Sequence, residues 1–440
     1  MKKILALLMA MAMLLGLAAC GSDPADAGSK PSDTGAADTG AADTGAPADT
    51  GAPADTGKQD DAAKPGEGGN EVLKIGGLVN QTGWFATYDY NNALEMQCLA
   101  GYYNDQGGIE IGGKKYDLEI VVQDGQSDAA GIRSAAQLLA DDPDIHYVIE
   151  TNDFWVEGAL DIFEKGGIMN VMSQNNMDFN AMNENLKYAY TFYNAAPAQF
   201  AAALQFVKDY YPDATKIIFC SNDDGNGKSQ AALVQAVCAE LGLEYIDDPI
   251  IYDAEATDLS AVALQLMSSG ADVFIGNADV NNVGSIVKEL RNNGSDMVAA
   301  AIVGANAGML LDATGLKDVS RAFTMGSDLE TPEHNTDIFN TIYNRFKDEY
   351  GADTAASWCG ASVNNLYTLL QLMQGAGSVE VADVQAYYDS IDSVETLFGT
   401  GKVCGMETFG CNHVVATPNS VSVLVDGKVE FGGTVECYVP

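Results

Sequence analysis

Basic residues are scarce. The 440-residue chain holds 22 Lys and Arg against 62 Asp and Glu, a formal charge of -40. Such a surface offers little to phosphate backbones, so nucleic acid is excluded as a partner. Histidine is scarcer still. His146, His334 and His413 are the three in the chain, and they lie far apart. No CxxC or Cys/His spacing accompanies them, so neither a metal site nor a cofactor is expected. No Gly-x-Ser-x-Gly occurs and no His sits in a nucleophile-elbow context, so no catalytic triad, and no enzyme, is expected. After residue 20, no apolar run approaches the roughly 20 residues needed to cross a bilayer.

The first 20 residues are different. Met1-Lys2-Lys3 is a short positive start, Ile4 to Leu17 is apolar apart from Gly16, and Leu17-Ala18-Ala19-Cys20 closes the run. The run is too short for a spanning helix and its exit, Gly21-Ser22, is polar, which is the layout of a secretory signal. The Leu-Ala-Ala-Cys ending resembles a bacterial lipobox, in which the cysteine is lipidated. That resemblance implies a lipid anchor at Cys20 on the extracytoplasmic face of the cell membrane.

Residues 22–70 contain no aromatic side chain and carry ten acids, three Lys and five Pro. Asp33-Thr34-Gly35-Ala36-Ala37-Asp38-Thr39-Gly40 begins a degenerate repeat that runs to Gly57. The segment has too little apolar surface to offset its chain entropy, so 21–71 is expected to be a disordered tether between lipid and domain. Seven cysteines remain once Cys20 is assigned to the lipid. Cys98, Cys220 and Cys238 sit in apolar contexts and read as core thiols. Cys404 and Cys411 flank Gly405 and Gly410, a plausible hairpin staple, and Cys437 is a third candidate; export would permit such a bond.

From Val72 the chain alternates strands and helices. Strands are expected at Val72–Val79, Tyr116–Val122, Tyr147–Ile149 and Ile168–Met172, with helices at Tyr88–Asp105, Asp128–Leu139 and Glu157–Lys165 between them. A second run follows Tyr190-Thr191-Phe192. It has strands at Lys216–Cys220, Tyr245–Ile251, Asp272–Ile275 and Val298–Val303, and helices at Pro197–Tyr210, Gly227–Leu241, Leu259–Ser268 and Val280–Arg291. The chain is then read as returning to the first unit through strand Ala322–Met325 and helices Thr336–Tyr350, Ala355–Gly375 and Val381–Ser390. The end, Val403–Tyr438, is β-rich, with Asp426-Gly427 as a hairpin turn. Alternation of this kind predicts parallel sheets covered on both faces, with ligands beyond the carboxyl ends of the strands.

Several stretches in this order match one family: Lys74-Ile75-Gly76 to Gln81-Thr82-Gly83, Asn104-Asp105-Gln106-Gly107-Gly108-Ile109, Gln123-Asp124-Gly125-Gln126-Ser127-Asp128, and Ala256-Thr257-Asp258-Leu259-Ser260. The sequence resembles the type I solute-binding proteins of ABC importers, the group named for leucine, isoleucine and valine binding, over about residues 72–430. The resemblance implies an α/β, periplasmic-binding-protein-like fold of two doubly wound lobes joined by a three-crossing hinge and closing around one small molecule. It implies lobe one at 72–194 and 324–398, lobe two at 195–323 and 399–440, an ABC permease as partner, and a monomer.

In that family, hydroxyls and backbone groups after the third and fourth strands hold an amino-acid carboxylate. Here those segments are Glu150-Thr151-Asn152-Asp153-Phe154-Trp155, without paired Ser, and Ser173-Gln174-Asn175-Asn176. Asp224 stands before Gly225-Asn226-Gly227, where the family places an aromatic. Asn306 falls near the position of the acid that pairs with a ligand ammonium, and Asp279 could replace that acid. The candidate ligand residues are therefore Trp84, Phe85, Tyr88, Asn152, Asp153, Phe154, Ser173, Gln174, Asn175, Tyr193, Asp224, Asp279 and Asn306. The aromatics read equally as packing under an interface, and the acids as helix N-caps on strand-to-helix loops. Aromatic faces beside carboxylates suit a cationic ligand. Asn222–Ser229 approaches a nucleotide-binding loop, but Asn222 replaces its first Gly and two Asp lie where phosphates would. Two roles stay open: delivery of an amino acid or related compound to a permease, or presentation of a cationic or aromatic ligand to a membrane receptor.

Overall fold

The computed structural model describes residues 69–151, 155–173, 182–194, 196–223, 227–253, 255–278, 280–302, 306–326, 329, 331–437 and 439, without the side chains of 87–88, 196–197 and 227–229. The signal segment, Cys20 and the repeat tether lie outside the described residues.

The first sheet grows around β1 (Glu71–Val79), whose residues are apolar on both sides because helices cover both faces. It pairs in parallel with β3 (Lys114–Asp124) and β4 (Tyr147–Glu150). β2 (Ile109–Ile111) is antiparallel to β3, while β5 (Met169–Met172) and β6 (Ala189–Tyr190) extend the other edge, giving the order β2-β3-β1-β4-β5-β6. Ile75 and Val79 pack with Met96 and Leu99 of α1 (Ala86–Asp105). Leu78 points the other way, onto Ile132 and Leu139 of α2 (Ala129–Asp141) and Phe163 of α3 (Glu157–Gly166).

The second sheet has α4 (Ala196–Tyr210), β7 (Lys216–Asn222), α5 (Gly227–Leu241), β8 (Glu244–Tyr245), β9 (Ile250–Tyr252) and α6 (Ser260–Ser269). It continues through β10 (Val273–Gly276), α7 (Val280–Asn292), β11 (Val298–Ala301), α8 (Ala307–Thr314) and β12 (Ala322–Gly326). The expected single strand 245–251 is two short ones, both paired with β7, because Asp247-Asp248-Pro249 interrupts the ladder. β12 corrects a second expectation. It does not return to the first sheet but lies beside β11 in parallel register, Ala299 opposite Ala322. Strand alternation cannot say which sheet a strand joins; here β16 (Pro418–Val425) supplies the other partner, antiparallel to β12. β17 (Lys428–Glu436) completes the hairpin at Asp426-Gly427, as expected.

The chain then re-enters the first unit through α9 (Asp337–Tyr350), α10 (Ala352–Ala355), α11 (Ala361–Ala376) and α12 (Val381–Tyr388). The expected helix 355–375 is broken at Gly360, whose φ of 79° turns the backbone out of the helix. A separate antiparallel sheet of β13 (Ser393–Thr396), β14 (Gly399–Cys404) and β15 (Val414–Ala416) lies at the hinge. The Cys404–Cys411 staple does not form. A helical turn, α13 (Met406–Phe409), separates the two residues, and Cys404, Cys411 and Cys437 are buried free thiols.

Three segments pass between the sheets and are fastened to one another. Thr191 bonds His413 and Val415 through the backbone at 3.0 and 2.9 Å. The Asn194 side chain pairs with the Thr417 backbone N–H and hydroxyl, both at 2.8 Å. Asn364, fully buried on α11, donates to Phe192 O at 2.7 Å and accepts from Leu397 N at 2.9 Å. Thr336, which caps α9, donates to Leu397 O.

Two stability predictions follow from this packing. Asn364→Ala leaves a buried carbonyl and a buried N–H without partners, at about 1–3 kcal/mol each, and should lower the denaturation midpoint without changing the slope of the transition. Gly284 of α7 lies so close to α8 that an added Cβ would sit 2.4 Å from Ala313 Cβ. Gly284→Ala should therefore destabilise by about 1–3 kcal/mol in denaturant titration, despite the better helix propensity of Ala.

Candidate functional site

Parallel strands place all their carboxyl ends at one edge, and ligands bind beyond that edge in open α/β sheets. In the first sheet the edge is built around the turn between β1 and α1. Asp124, ending β3, accepts from Gln81 N at 2.9 Å, Thr82 N at 3.2 Å, the Thr82 hydroxyl at 2.6 Å and Gln126 N at 2.8 Å. Partial burial alone would raise its carboxyl, but these donors outweigh it and hold Asp124 below the usual carboxylate range. Ser127 ties the same turn from the other side: its hydroxyl donates to Thr82 O at 2.7 Å and accepts from Phe85 N at 3.1 Å. Gly83, with φ of 86°, passes so close that a Cβ would sit 2.6 Å from Ser127.

This turn delivers Trp84 and Phe85. Trp84 is 59% exposed. Its ring meets Phe85 edge-on at 5.3 Å and Trp155, beyond β4, at 6.0 Å. Phe85 and Trp155 are 6.5 Å apart at 87°, so the three rings form one edge-to-face cluster. Of the aromatics at the ends of β1 and β4, Trp84, Phe85 and Trp155 are thus brought together, while Phe154 and the Tyr88 side chain lie outside the described residues.

Beneath them is a buried polar layer that the sequence reading missed. Asp89 on α1 accepts from Asn80 N at 2.6 Å, Asn80 Nδ2 at 2.9 Å and Asn92 Nδ2 at 2.8 Å. Glu150 accepts from Asn170 Nδ2 at 2.6 Å. Ser173 accepts from Asn365 Nδ2 at 2.9 Å, so its hydroxyl is anchored to α11. Glu95, fully buried, accepts from Cys359 N at 2.8 Å and Gly360 N at 2.9 Å at the start of α11. The one signal for this layer was Asp89, Asn92 and Glu95 spaced by three along a helix, which puts all three on neighbouring turns of one side.

The second sheet presents Asp223, exposed after β7, with its N–H on Tyr252 O at 2.7 Å, and Asn277, whose side chain donates to Gln230. Asn306 is nearly buried and its side chain is committed. Oδ1 accepts from Met309 N at 2.8 Å, capping α8, and Nδ2 donates to Ala356 O of the first unit at 3.2 Å. Asn306 is thus a polar contact between the two units. Tyr193 is buried on the first crossing and packs on Phe398 at 5.9 Å. Tyr88 lies in the first turn of α1 and its side chain is not described. Asn152, Asp153, Phe154, Gln174, Asn175, Asp224 and Asp279 lie outside the described residues. Among the described residues no cluster of His, Cys, Asp and Glu could hold a metal ion.

Burial pushes the Glu95 carboxyl up to about 8, against the backbone donors at Cys359 and Gly360 and with Asp89 adding to the rise. Its ordinary value is 4.5. Between these values the unfolded chain has released the proton and the folded chain has kept it. The contribution of Glu95 to stability is therefore full below the unfolded value and falls through this window, by up to about 1.4 kcal/mol per pH unit. Glu95→Gln should flatten the loss of thermal stability between weakly acidic and weakly basic pH, measured by melting curves across that range.

Comparison with known proteins agrees with this architecture. The family model described as periplasmic binding protein matches residues 72–423. No curated protein matches. Among solved structures, a leucine-binding protein from Thermotoga maritima is 17% identical with a TM-score of 0.63, covering 83% of this chain and 99% of its own. A branched-chain amino acid transporter substrate-binding protein from Streptococcus pneumoniae, in complex with isoleucine, is 17% identical with a TM-score of 0.65, covering 83% and 99%. An ABC transporter solute-binding protein from R. palustris, in complex with 4-hydroxybenzoate, is 13% identical with a TM-score of 0.61, covering 84% and 96%. A match that runs from β1 into β16 takes in both sheets and every crossing between them: this chain belongs to the periplasmic binding protein family.

Proposed function

We propose that the chain is an extracytoplasmic solute-binding protein that captures one small molecule between its two units and delivers it to an ABC permease. The observation that carries the reading is the exposed Trp84 cluster at the carboxyl edge of one sheet, with the second sheet's edge joined to the same unit by three crossings and by the Asn306–Ala356 contact. Crossing segments of this kind let two rigid sheets close on a ligand by small changes at a few residues. Closing expels water and lets both edges contribute contacts, and the closed form is what a permease distinguishes. No bond is made or broken. Family membership and the related proteins, whose ligands include isoleucine and 4-hydroxybenzoate, support this class of function.

Within this reading, Cys20 carries the lipid and residues 21–70 form the tether. No helix among the described residues is long and apolar enough to cross a membrane, so attachment of the folded part would fall to that lipid. Trp84, Phe85 and Trp155 form the apolar wall of the site. Ser173, held by Asn365, is the hydroxyl at its floor.

The test is a thermal-shift screen of the purified protein against amino acids, amines, quaternary ammonium compounds, aromatic acids and fatty acids. A ligand at 100 times its dissociation constant should add roughly 2.7 kcal/mol of stability, a rise of several degrees in the melting temperature. Trp84→Ala should remove most of that rise while leaving the unliganded melting temperature close to wild type. A flat response across all classes would count against the solute-binding reading.

A further inference from the structure

A cavity of about 410 Å³ lies beside the hinge sheet, between the turn that ends α12 and the segment joining β14 to β15. Its size falls in the range of small-molecule pockets, roughly 300 to 1,000 Å³. None of its lining residues belongs to the Trp84 turn or to the strand ends of the two large sheets. Backbone bonds fix both walls. On one, Asp389 N donates to Gln385 O at 2.9 Å and Val403 N donates to Asp392 O at 2.9 Å. On the other, Phe409 N donates to Gly405 O at 2.7 Å and Gly410 N to Met406 O at 3.1 Å. This second wall is also fastened to the first crossing, where Thr191 N donates to His413 O.

The polar groups of the cavity are largely acceptors. Asp389 and Asp392 are exposed, and their carboxylates make no hydrogen bond or ion pair with a described residue. His413 Nδ1 lies 3.0 Å from Ala189 O. A carbonyl only accepts, so Nδ1 carries the proton. Burial holds the ring below its ordinary value, against the raising effect of that carbonyl and of Asp389. The neutral ring, stacked on Tyr190 at 4.1 Å, keeps a lone pair on Nε2. Tyr388 is fully buried, and its hydroxyl has no partner among the described residues. Burial pushes that hydroxyl well above its ordinary value, and Cys411 and Asp389, both in the cavity lining, are among the groups that add to the rise. Buried polar atoms without partners are few in folded proteins, so this one marks a place where a ligand would be held.

Ile391, Val403 and Met406 supply the apolar side. Lys402 is next to Val403 in the chain and Lys187 precedes β6, but neither is part of the lining. A metal ion fits less well than an amine, because no cluster of three His, Cys, Asp or Glu among the described residues could hold one. An ammonium needs less: two carboxylates and one lone pair serve its N–H donors.

We propose that this hinge cavity is a second binding site, taking a small organic amine whose ammonium is met by Asp389, Asp392 and His413 and whose aliphatic body lies against Ile391, Val403 and Met406. The inference goes beyond solute capture between the two units and does not depend on it. An amine held here touches the segment that is fastened to the first crossing.

The experiment is calorimetric titration of the full chain at physiological salt, where loose pairing of cations with a chain of charge -40 is screened. The probes are ethanolamine, butylamine and putrescine, with glycerol, propionate and Mg²⁺ as controls. At least one amine should bind saturably at one site, and the controls should not. Asp389→Asn and Asp392→Asn should each weaken that binding about tenfold, since each removes a charge-assisted bond. Tyr388→Phe, which removes only the hydroxyl, should weaken it about threefold. Trp84→Ala should leave it unchanged, because Trp84 belongs to the other site. Melting curves establish that the variants fold. No saturable amine binding would overturn the proposal, as would amine binding that survives both Asp variants. Loss of amine binding in Trp84→Ala would put the amine between the two units and overturn it too. Saturable Mg²⁺ binding that the Asp variants abolish, without amine binding, would overturn the ligand class.

Discussion

One buried amide sets how the two halves of this molecule relate. Asn364 donates to Phe192 on the first crossing and accepts from Leu397 in the turn between β13 and β14, and Thr336 at the end of the second crossing bonds the same Leu397. With Asn194 clasping Thr417 on the third crossing, the connections are bound together rather than running separately. In a dry interior each such bond is expensive to lose, because the groups left behind have no water to turn to. These bonds tie the three crossings into one connected group.

Rigidity at the site comes from the same kind of accounting. Asp124 takes up Gln81 N and Thr82 N in the turn after β1, the Ser127 hydroxyl takes up Thr82 O and Phe85 N, Asn80 ties Ser127 N to the same turn, and Gly83 removes the one side chain that would collide with Ser127. An exposed tryptophan on a loose loop would lose entropy on binding. Trp84 is held in place beforehand by its own turn and by the rings of Phe85 and Trp155. The layer of Asp89, Glu95 and Glu150 beneath is bonded inward, to Asn80, Cys359, Gly360 and Asn170.

Much of the fold was legible from periodicity. Alternating strands and helices, the two parallel sheets and the terminal hairpin at Asp426-Gly427 all follow from local pattern. The errors have a common cause. β12 has the same apolar sequence whichever sheet it joins, and what decided the matter was the presence of β16, about a hundred residues later, as its antiparallel partner. Cys404 and Cys411 have hairpin-like spacing, but Gly405 and Gly410 bound a helical turn, not a hairpin. The site was legible only in part. Aromatics at strand ends were visible as such. The commitment of Asn306 to a cap and to Ala356, and the burial of Tyr193 against Phe398, depend on neighbours far away in the chain.

The sequence by itself determined the charge of the molecule, the composition of its repeat segment and the class of the fold. These are properties of composition and short-range order, in which each residue speaks for its own surroundings. The tertiary structure alone decided which aromatics meet and which polar side chains are already satisfied. Those are matters of proximity between residues far apart in the chain, such as Asn91 with Thr354, 263 positions away, and Glu95 with Gly360, 265 positions away. No local pattern encodes them, because the free energy that selects each pairing is gained only when the whole of both sheets has packed.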